Sequence, residues 1–275
     1  MVACSESKPE REPVAVTGYP ADLYLATHAG NPGDVSFYRT RCEGAKSVLE
    51  LGCGDARVLS RLDHPGRRLV GLDHDAGLLE HARTRLSRQR TLPPTELVEG
   101  DMRRFQLREQ FDRIIIPYGG LFCLPDDIAL HDCLGAIHAH LAPGGQLILD
   151  TYAADAFHGQ GPTDDSDQRG FSKVATINVG RVRYDVAERS EWNREQQTLD
   201  VCYRYQSATR AAIEAWLPQH YVLASQLRDA ALAEGLEPMN LWGGFDRRPY
   251  DPVGSDLMVF RATKPAADPL GRPTQ

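Results

Sequence analysis

The sequence lacks any apolar run approaching the ~20 residues a membrane-spanning helix needs, so no membrane partner is expected. It also lacks a block of lysine and arginine. With 31 Lys+Arg against 38 Asp+Glu, the formal net charge is −7, which argues against a long nucleic-acid backbone as partner. Six cysteines are present, but no Cys-x-x-Cys pair. Cys4, Cys42, Cys53, Cys123, Cys133 and Cys202 are scattered, which offers no structural zinc site and reads as the reduced thiols of a cytoplasmic protein. No metal is expected. Residues 1–13 are charged and carry proline without an apolar core, so they read as a disordered tail rather than a secretory signal. Residues 264–275, with Pro265, Pro269 and Pro273, read as a second tail.

What is present is a regular alternation of short apolar runs and helical patterns from residue 46 to 150, the mark of a parallel sheet built from βαβ units. Strands are expected at 47–51, 68–72, 96–99, 111–117 and 146–150. Helices are expected to start at 56–62 and to span 75–88 and 128–140. The alternation then breaks. Between 171 and 221 apolar and polar residues alternate with period two, Val182, Tyr184 and Val186 on one face and Leu199, Val201, Tyr203 and Tyr205 on another, which reads as antiparallel strands. A helix at 225–234 stops at Gly235, and strands near 238–242 and 257–262 close the chain. The expected fold is α/β: a Rossmann-like doubly wound sheet of about seven strands, with an antiparallel β insertion at 151–221 before the last helix. A single domain would span 14–263.

The chemistry-bearing residues cluster at strand ends. Glu50-Leu51-Gly52-Cys53-Gly54-Asp55-Ala56-Arg57 lies directly between the first strand and the expected start of a helix. Glycines there let the backbone turn sharply and approach a ligand, at the strand end where open α/β sheets bind ligands. Asp73 ends the second strand, 19 residues after Gly54, where a carboxylate can accept from both hydroxyls of a ribose. The alternative is that Asp73 caps the next helix, a task Asp75 is equally placed to do. A nicotinamide-dependent dehydrogenase would also explain the glycine loop and Asp73, but not the later Gly100-Asp101-Met102 or the antiparallel insertion.

This ordered set resembles the class I S-adenosylmethionine-dependent methyltransferases. The resemblance implies that Glu50, Gly52, Gly54, Asp73 and Gly100-Asp101-Met102 surround the cofactor, Asp101 at the adenine amino group and Met102 beside the ring. Cys53 in the loop, His74 after Asp73 and Pro117 at the end of the fourth strand join the implied cofactor contacts. Ala142-Pro143-Gly144-Gly145 matches the family's late structural turn. The leading segment, from Leu23-Tyr24 to Phe37-Tyr38, is similar to that of glycine N-methyltransferase-like enzymes and antibiotic sugar N-methyltransferases. It implies a contact of Tyr24 with the methionine carboxylate, and an insertion serving as substrate roof.

The implied activity is methyl transfer to a nitrogen or oxygen of a small-molecule metabolite by a monomer or homodimer. The other class left open is a cofactor-binding regulator or partner subunit without catalysis. The acceptor would face Pro117-Tyr118-Gly119-Gly120-Leu121-Phe122-Cys123, with Tyr118, Phe122 and Trp242 as substrate contacts. A sulfonium already carries an activated methyl, so alignment and exclusion of water are the main demands. A base is needed only if the acceptor must lose a proton. Related sugar N-methyltransferases imply a histidine near Cys123, which this chain lacks. Tyr118 and His220 are the catalytic candidates that remain.

Overall fold

A computed structural model describes residues 14–15, 18–88, 95–160 and 170–266. In chain order the elements are β1 (Val14–Ala15), α1 (Ala21–Thr27), α2 (Asp34–Arg41), β2 (Ser47–Leu51), β3 (Arg68–Asp73), α3 (Ala76–Ser87), β4 (Glu96–Glu99), β5 (Phe111–Ile116), α4 (Asp127–His140) and β6 (Leu141–Tyr152). They continue with α5 (Asp155–Gly159), β7 (Ser172–Val179), β8 (Val182–Asn193), β9 (Thr198–Gln206), β10 (Ile213–Leu217), α6 (Ala224–Ala233), β11 (Glu237–Trp242) and β12 (Leu257–Thr263). The expected tail 1–13 lies outside the described residues. No helix among them is long and apolar enough to cross a membrane.

The chain divides into two compact units, one built from residues 30–161, 194–197 and 219–275, the other from residues up to 29, 162–193 and 198–218. The larger unit holds a seven-stranded sheet in the order β11-β12-β6-β5-β2-β3-β4. Five strands run parallel, and β12 is antiparallel to both its neighbours. The central strands are apolar on both faces: Val48, Leu49, Leu51, Ile114, Ile115 and Ile116 are buried, as parallel strands covered on both sides require. α3 and α4 begin at Asp75 and Asp126, whose side chains accept the Leu78 and Ala129 N–H groups, each satisfying a donor the helix start would leave open.

The smaller unit holds a five-stranded sheet, β1-β10-β9-β8-β7, antiparallel apart from the β1–β10 pair. Tyr184, Val186 and Tyr205 point to its core with Leu23, Ile177 and Ala215, so the period-two pattern of the sequence did mark the buried face.

Two expectations need correction. Residues 56–62 do not begin an α-helix. Ala56 takes a left-handed backbone (φ 60°), which a right-handed helix cannot include, and only a single 3₁₀ turn forms at Leu59–Arg61. The second concerns the expected tail 264–275: its first residue is tied down, and residues 267–275 lie outside the described residues. Lys264 donates through Nζ to the carbonyls of His138 (2.8 Å) and Leu141 (3.0 Å), which ties the end of the last strand to the end of α4.

Candidate active site

The C-terminal ends of β2 and β3 bring the first half of the expected set together. Gly52 (φ 66°) and Gly54 (φ 52°) both need the left-handed backbone, which costs glycine little. Gly54 N–H donates to Asp73 Oδ2 at 2.7 Å, and Asp75 N–H to Asp73 Oδ1 at 2.9 Å. The helix cap is Asp75, whose Oδ1 accepts from Leu78 N–H at 3.0 Å. Asp73 is thus free of the capping task and instead clamps the glycine loop. Its carboxyl is buried, which pushes its pKa up against the pull of these two donors. Gly100 N–H donates to the Asp73 carbonyl (2.9 Å), and a Cβ on Gly52 would stand 3.6 Å from the end of Met102, so the 100–102 segment joins the loop.

The Asp101 carboxylate is held by Arg103, with Nε 2.9 Å from both oxygens and Nη2 2.6 Å from Oδ2. That guanidinium holds Asp101 down to about 2. The His74 side chain is exposed, with Nδ1 3.7 Å from Asp73; Cys53 is buried, as is Pro117.

Glu50 is the unusual member. It is 3% exposed, burial raises its pKa well above the ordinary carboxylate range, and its Oε2 is buried with no hydrogen-bond partner. A buried polar atom without a partner is costly, and here it stands at the strand end beside the glycine loop.

The end of β5 is fixed from β6. Tyr118 (φ 57°) and Gly119 (φ 71°) turn the chain through the left-handed region. A tyrosine is strained there, and two bonds hold it: Tyr118 N–H to Asp150 Oδ1 (3.0 Å) and Gly119 N–H to the Asp150 carbonyl (2.8 Å). The Tyr38 hydroxyl also donates to Oδ1 (2.5 Å) and Asn31 Nδ2 reaches Oδ2 at 3.5 Å. Burial nevertheless pushes Asp150 up to about 6.

Arg57, from the glycine loop, pairs with buried Asp34 (Nη1–Oδ1 3.1 Å, Nη2–Oδ2 2.5 Å) and lies 5.9 Å from the Tyr118 ring. Gly30 makes room for it, since a Cβ there would fall 2.2 Å from the guanidinium carbon. The Gly30 N–H bonds the Tyr118 phenol, whose pKa burial raises. Four buried carboxyls, Asp34, Glu50, Asp73 and Asp150, therefore line these strand ends, and Arg57 feels Asp34, Glu50 and Asp150 together.

The acceptor-side residues fare differently. Phe122 is fully buried and meets the Tyr152 ring edge-on at 4.8 Å. Cys123 reaches the surface, yet desolvation around its sulfur pushes the thiol up to about 11. His220 is brought beside this segment by its N–H bond to the Phe122 carbonyl (2.9 Å), its Nε2 3.8 Å from Asp127. Trp242 is half-buried and packed edge-on against Phe37 at 5.9 Å, close to the guanidinium groups of Arg41 and Arg261. In the smaller unit, the Tyr24 ring lies tilted against His28 at 4.4 Å and edge-on to Tyr19 at 5.3 Å, and burial holds the His28 imidazole down to about 4.

Sequence reasoning missed Asp150, Asn31, Asp34 and Arg57 as site residues. Asp150 ends an apolar strand and Arg57 closes the glycine loop, so both carried the signal that found Asp73; Asn31 and Asp34 carried none.

Comparison with known proteins fits this geometry. Residues 48–145 match the methyltransferase domain family, a span that runs from the glycine-loop strand through the late turn. The chain is 26% identical over 215 residues to a cypemycin N-terminal methyltransferase from Streptomyces sp, covering 78% of this chain and 82% of the relative. It is 27% identical over 126 residues to the dTDP-3-amino-3,4,6-trideoxy-alpha-D-glucopyranose N,N-dimethyltransferase of Streptomyces venezuelae, covering 46% of this chain and about half (51%) of that relative. The CcbJ methyltransferase of Streptomyces caelestis shares the fold with a TM-score of 0.73 at 22% identity, over 88% of this chain and 95% of that one. The chain therefore carries a methyltransferase domain in a Rossmann-like fold, and its relatives and structural neighbours are methyltransferases.

Proposed function

We propose that this protein transfers the methyl group of S-adenosylmethionine to an amine nitrogen of a small molecule, in the cytoplasm, as a monomer or homodimer and without a metal. The observation that carries the reading is the unpartnered, buried Glu50 Oε2 at the end of β2, next to Asp73 and the glycine loop. The residues fit the cofactor's groups. Asp73 accepts from ribose hydroxyls, Glu50 offers its free oxygen to an ammonium, and Asp101 and Met102 border the base. Burial disfavours the charged forms of Glu50, Asp73 and Asp150, and a cationic ligand beside them would offset that cost, which favours such a ligand. S-adenosylmethionine supplies an electrophilic methyl on a sulfonium. Nitrogen is favoured over oxygen by the two relatives, whose names describe transfer to a peptide N-terminus and to an amino sugar.

The chain's own part is to bind, orient and exclude water. The Asp150–Tyr118 bond fixes the strand end that faces the acceptor, and Tyr118 is the candidate contact. Cys123, protonated at neutral pH with its thiol near 11, is a poor base, so the acceptor arrives as a neutral amine or loses its proton to His220. Calorimetry with S-adenosylmethionine and NAD, followed by turnover with amine acceptors, tests the reading. Preference for NAD would end it, and tight S-adenosylmethionine binding without turnover on any amine would favour a regulator. Loss of transfer in a folded His220→Ala variant would assign the proton to that histidine.

A further inference from the structure

The sheet face that α2 covers carries a group of arginines below the strand ends that hold Asp150 and Tyr118. Arg261 on β12 pairs in register with Ile148 on β6, two positions below Asp150, and Ile148 pairs with Ile115 on β5. Arg113 is two residues before Ile115, so by the period of a strand it shares that face. Arg41, in the last turn of α2, joins them: its carbonyl accepts from Arg113 Nε at 3.2 Å. Across β12, Asn240 pairs with Arg261 and Trp242 with Val259, which puts both on the same face. The Trp242 ring lies 6.0 Å from the Arg41 guanidinium carbon and 5.8 Å from that of Arg261.

The hydrogen bonding of this group is incomplete. Arg113 donates through Nε to the Arg41 carbonyl and through Nη1 to that of Asp112 (2.7 Å). Arg41 Nε, Arg261 Nε and Asn240 Oδ1 are buried with no partner. Among the described residues, none of the three arginines forms an ion pair with a carboxylate. The charges that bear on Arg261 are those of Arg41 and Arg113, which together with burial disfavour its cationic form. Clustered like charges without a counter-charge are unfavourable unless an anion joins them. The partial negative charge at the C-terminal end of α2 offsets only part of this. All three side chains are half-buried, so an ion from solvent can reach them.

We propose that Arg41, Arg113 and Arg261, with Asn240 and the Trp242 ring as walls, form a binding site for a phosphate group, separate from the methyl-transfer site. Guanidinium forks match the oxygens of a phosphate, and Asn240 Oδ1 can accept the proton that hydrogenphosphate retains. The group is either free inorganic phosphate or the phosphate of a larger metabolite.

The test is calorimetry and thermal unfolding of the full chain with inorganic phosphate, with glucose 1-phosphate, and with sodium chloride at matched ionic strength. Saturable binding and a rising Tm are expected with one or both phosphates and not with chloride, and the tighter of the two identifies the source. Arg41→Gln and Arg261→Gln should each weaken phosphate affinity about tenfold or more, the scale for losing a charge-assisted contact. An equal rise with chloride, no saturable binding of either phosphate, or unchanged phosphate affinity in Arg41→Gln would each overturn the proposal. If Arg261→Gln does not fold, Arg41→Gln, at the end of its helix, decides alone. Cofactor affinity measured beside these is independent of the outcome, so failure here leaves the methyltransferase reading untouched.

Discussion

Tyr38 and Asp150 meet across α2 and β6: the phenol donates to Asp150 Oδ1 at 2.5 Å, and that same oxygen accepts the Tyr118 N–H at 3.0 Å. Both residues are fully buried. The helix packed on the sheet thereby fixes the strained backbone at the C-terminal end of β5 through one carboxyl oxygen. Tyr38→Phe should destabilise the fold by ~1.5–3 kcal/mol, the range for a hydrogen bond to a charged group. Urea denaturation at pH 8 measures it. A loss within error would mean the phenol is dispensable to the acceptor end.

Asp150 should also leave a mark on the pH dependence of stability. Its folded pKa lies at about 6 against an ordinary 3.8, because burial outweighs the donors from Tyr38, Tyr118 and Asn31, with Asp34 adding repulsion. Between these values the folded state holds a proton that the unfolded state has released. This group's contribution to stability therefore falls as pH rises from about 4 to 6 and is flat above, in total by ~3 kcal/mol. The stability difference between wild type and Asp150→Asn, measured from pH 4 to 7, should show that decline. A constant difference would mean the carboxyl stays ionised throughout.

Asp73 clamps the glycine loop and is proposed to hold the ribose, and two variants separate these roles. Asp73→Ala should weaken S-adenosylmethionine binding roughly 10- to 150-fold, for the loss of ~1.5–3 kcal/mol of charged hydrogen bonding. It also removes the acceptor of the Gly54 and Asp75 N–H groups, so part of the loss reflects a looser loop. Asp73→Asn keeps one acceptor oxygen and should recover part of the affinity. Calorimetry of both gives the answer; full affinity in the folded alanine variant would remove Asp73 from the cofactor site.

Cys123 is expected to be chemically silent. With its thiol near 11, less than about one part in a thousand is thiolate at pH 7.5. Cys123→Ala should keep most of the turnover, and the thiol should react slowly with iodoacetamide. A large fall in turnover with cofactor binding intact would give the cysteine a role in the reaction.

The sequence by itself determined the local and the periodic. Five parallel strands, the glycine loop and the carboxylate at Asp73 arise from apolar runs, helical spacing and short-range turn chemistry, which act over a few residues. It also carried the antiparallel sheet, through the alternation of Tyr184, Val186 and Tyr205. Tertiary structure alone decided what depends on contacts between segments far apart in the chain. Whether Asp73 or Asp75 caps α3 turned on where the Gly54 N–H points, 19 residues upstream. The pairing of Tyr38 with Asp150 spans 112 residues and that of Asp34 with Arg57 joins a helix start to a loop, so no pattern in either neighbourhood announces them. Phe122 and Trp242 illustrate the same limit from the other side. An aromatic residue near a strand end can face a ligand or fill the core, and the sequence cannot foresee neighbours such as Tyr152 against one ring and Phe37 against the other, because burial is a property of the folded surroundings and not of the residue.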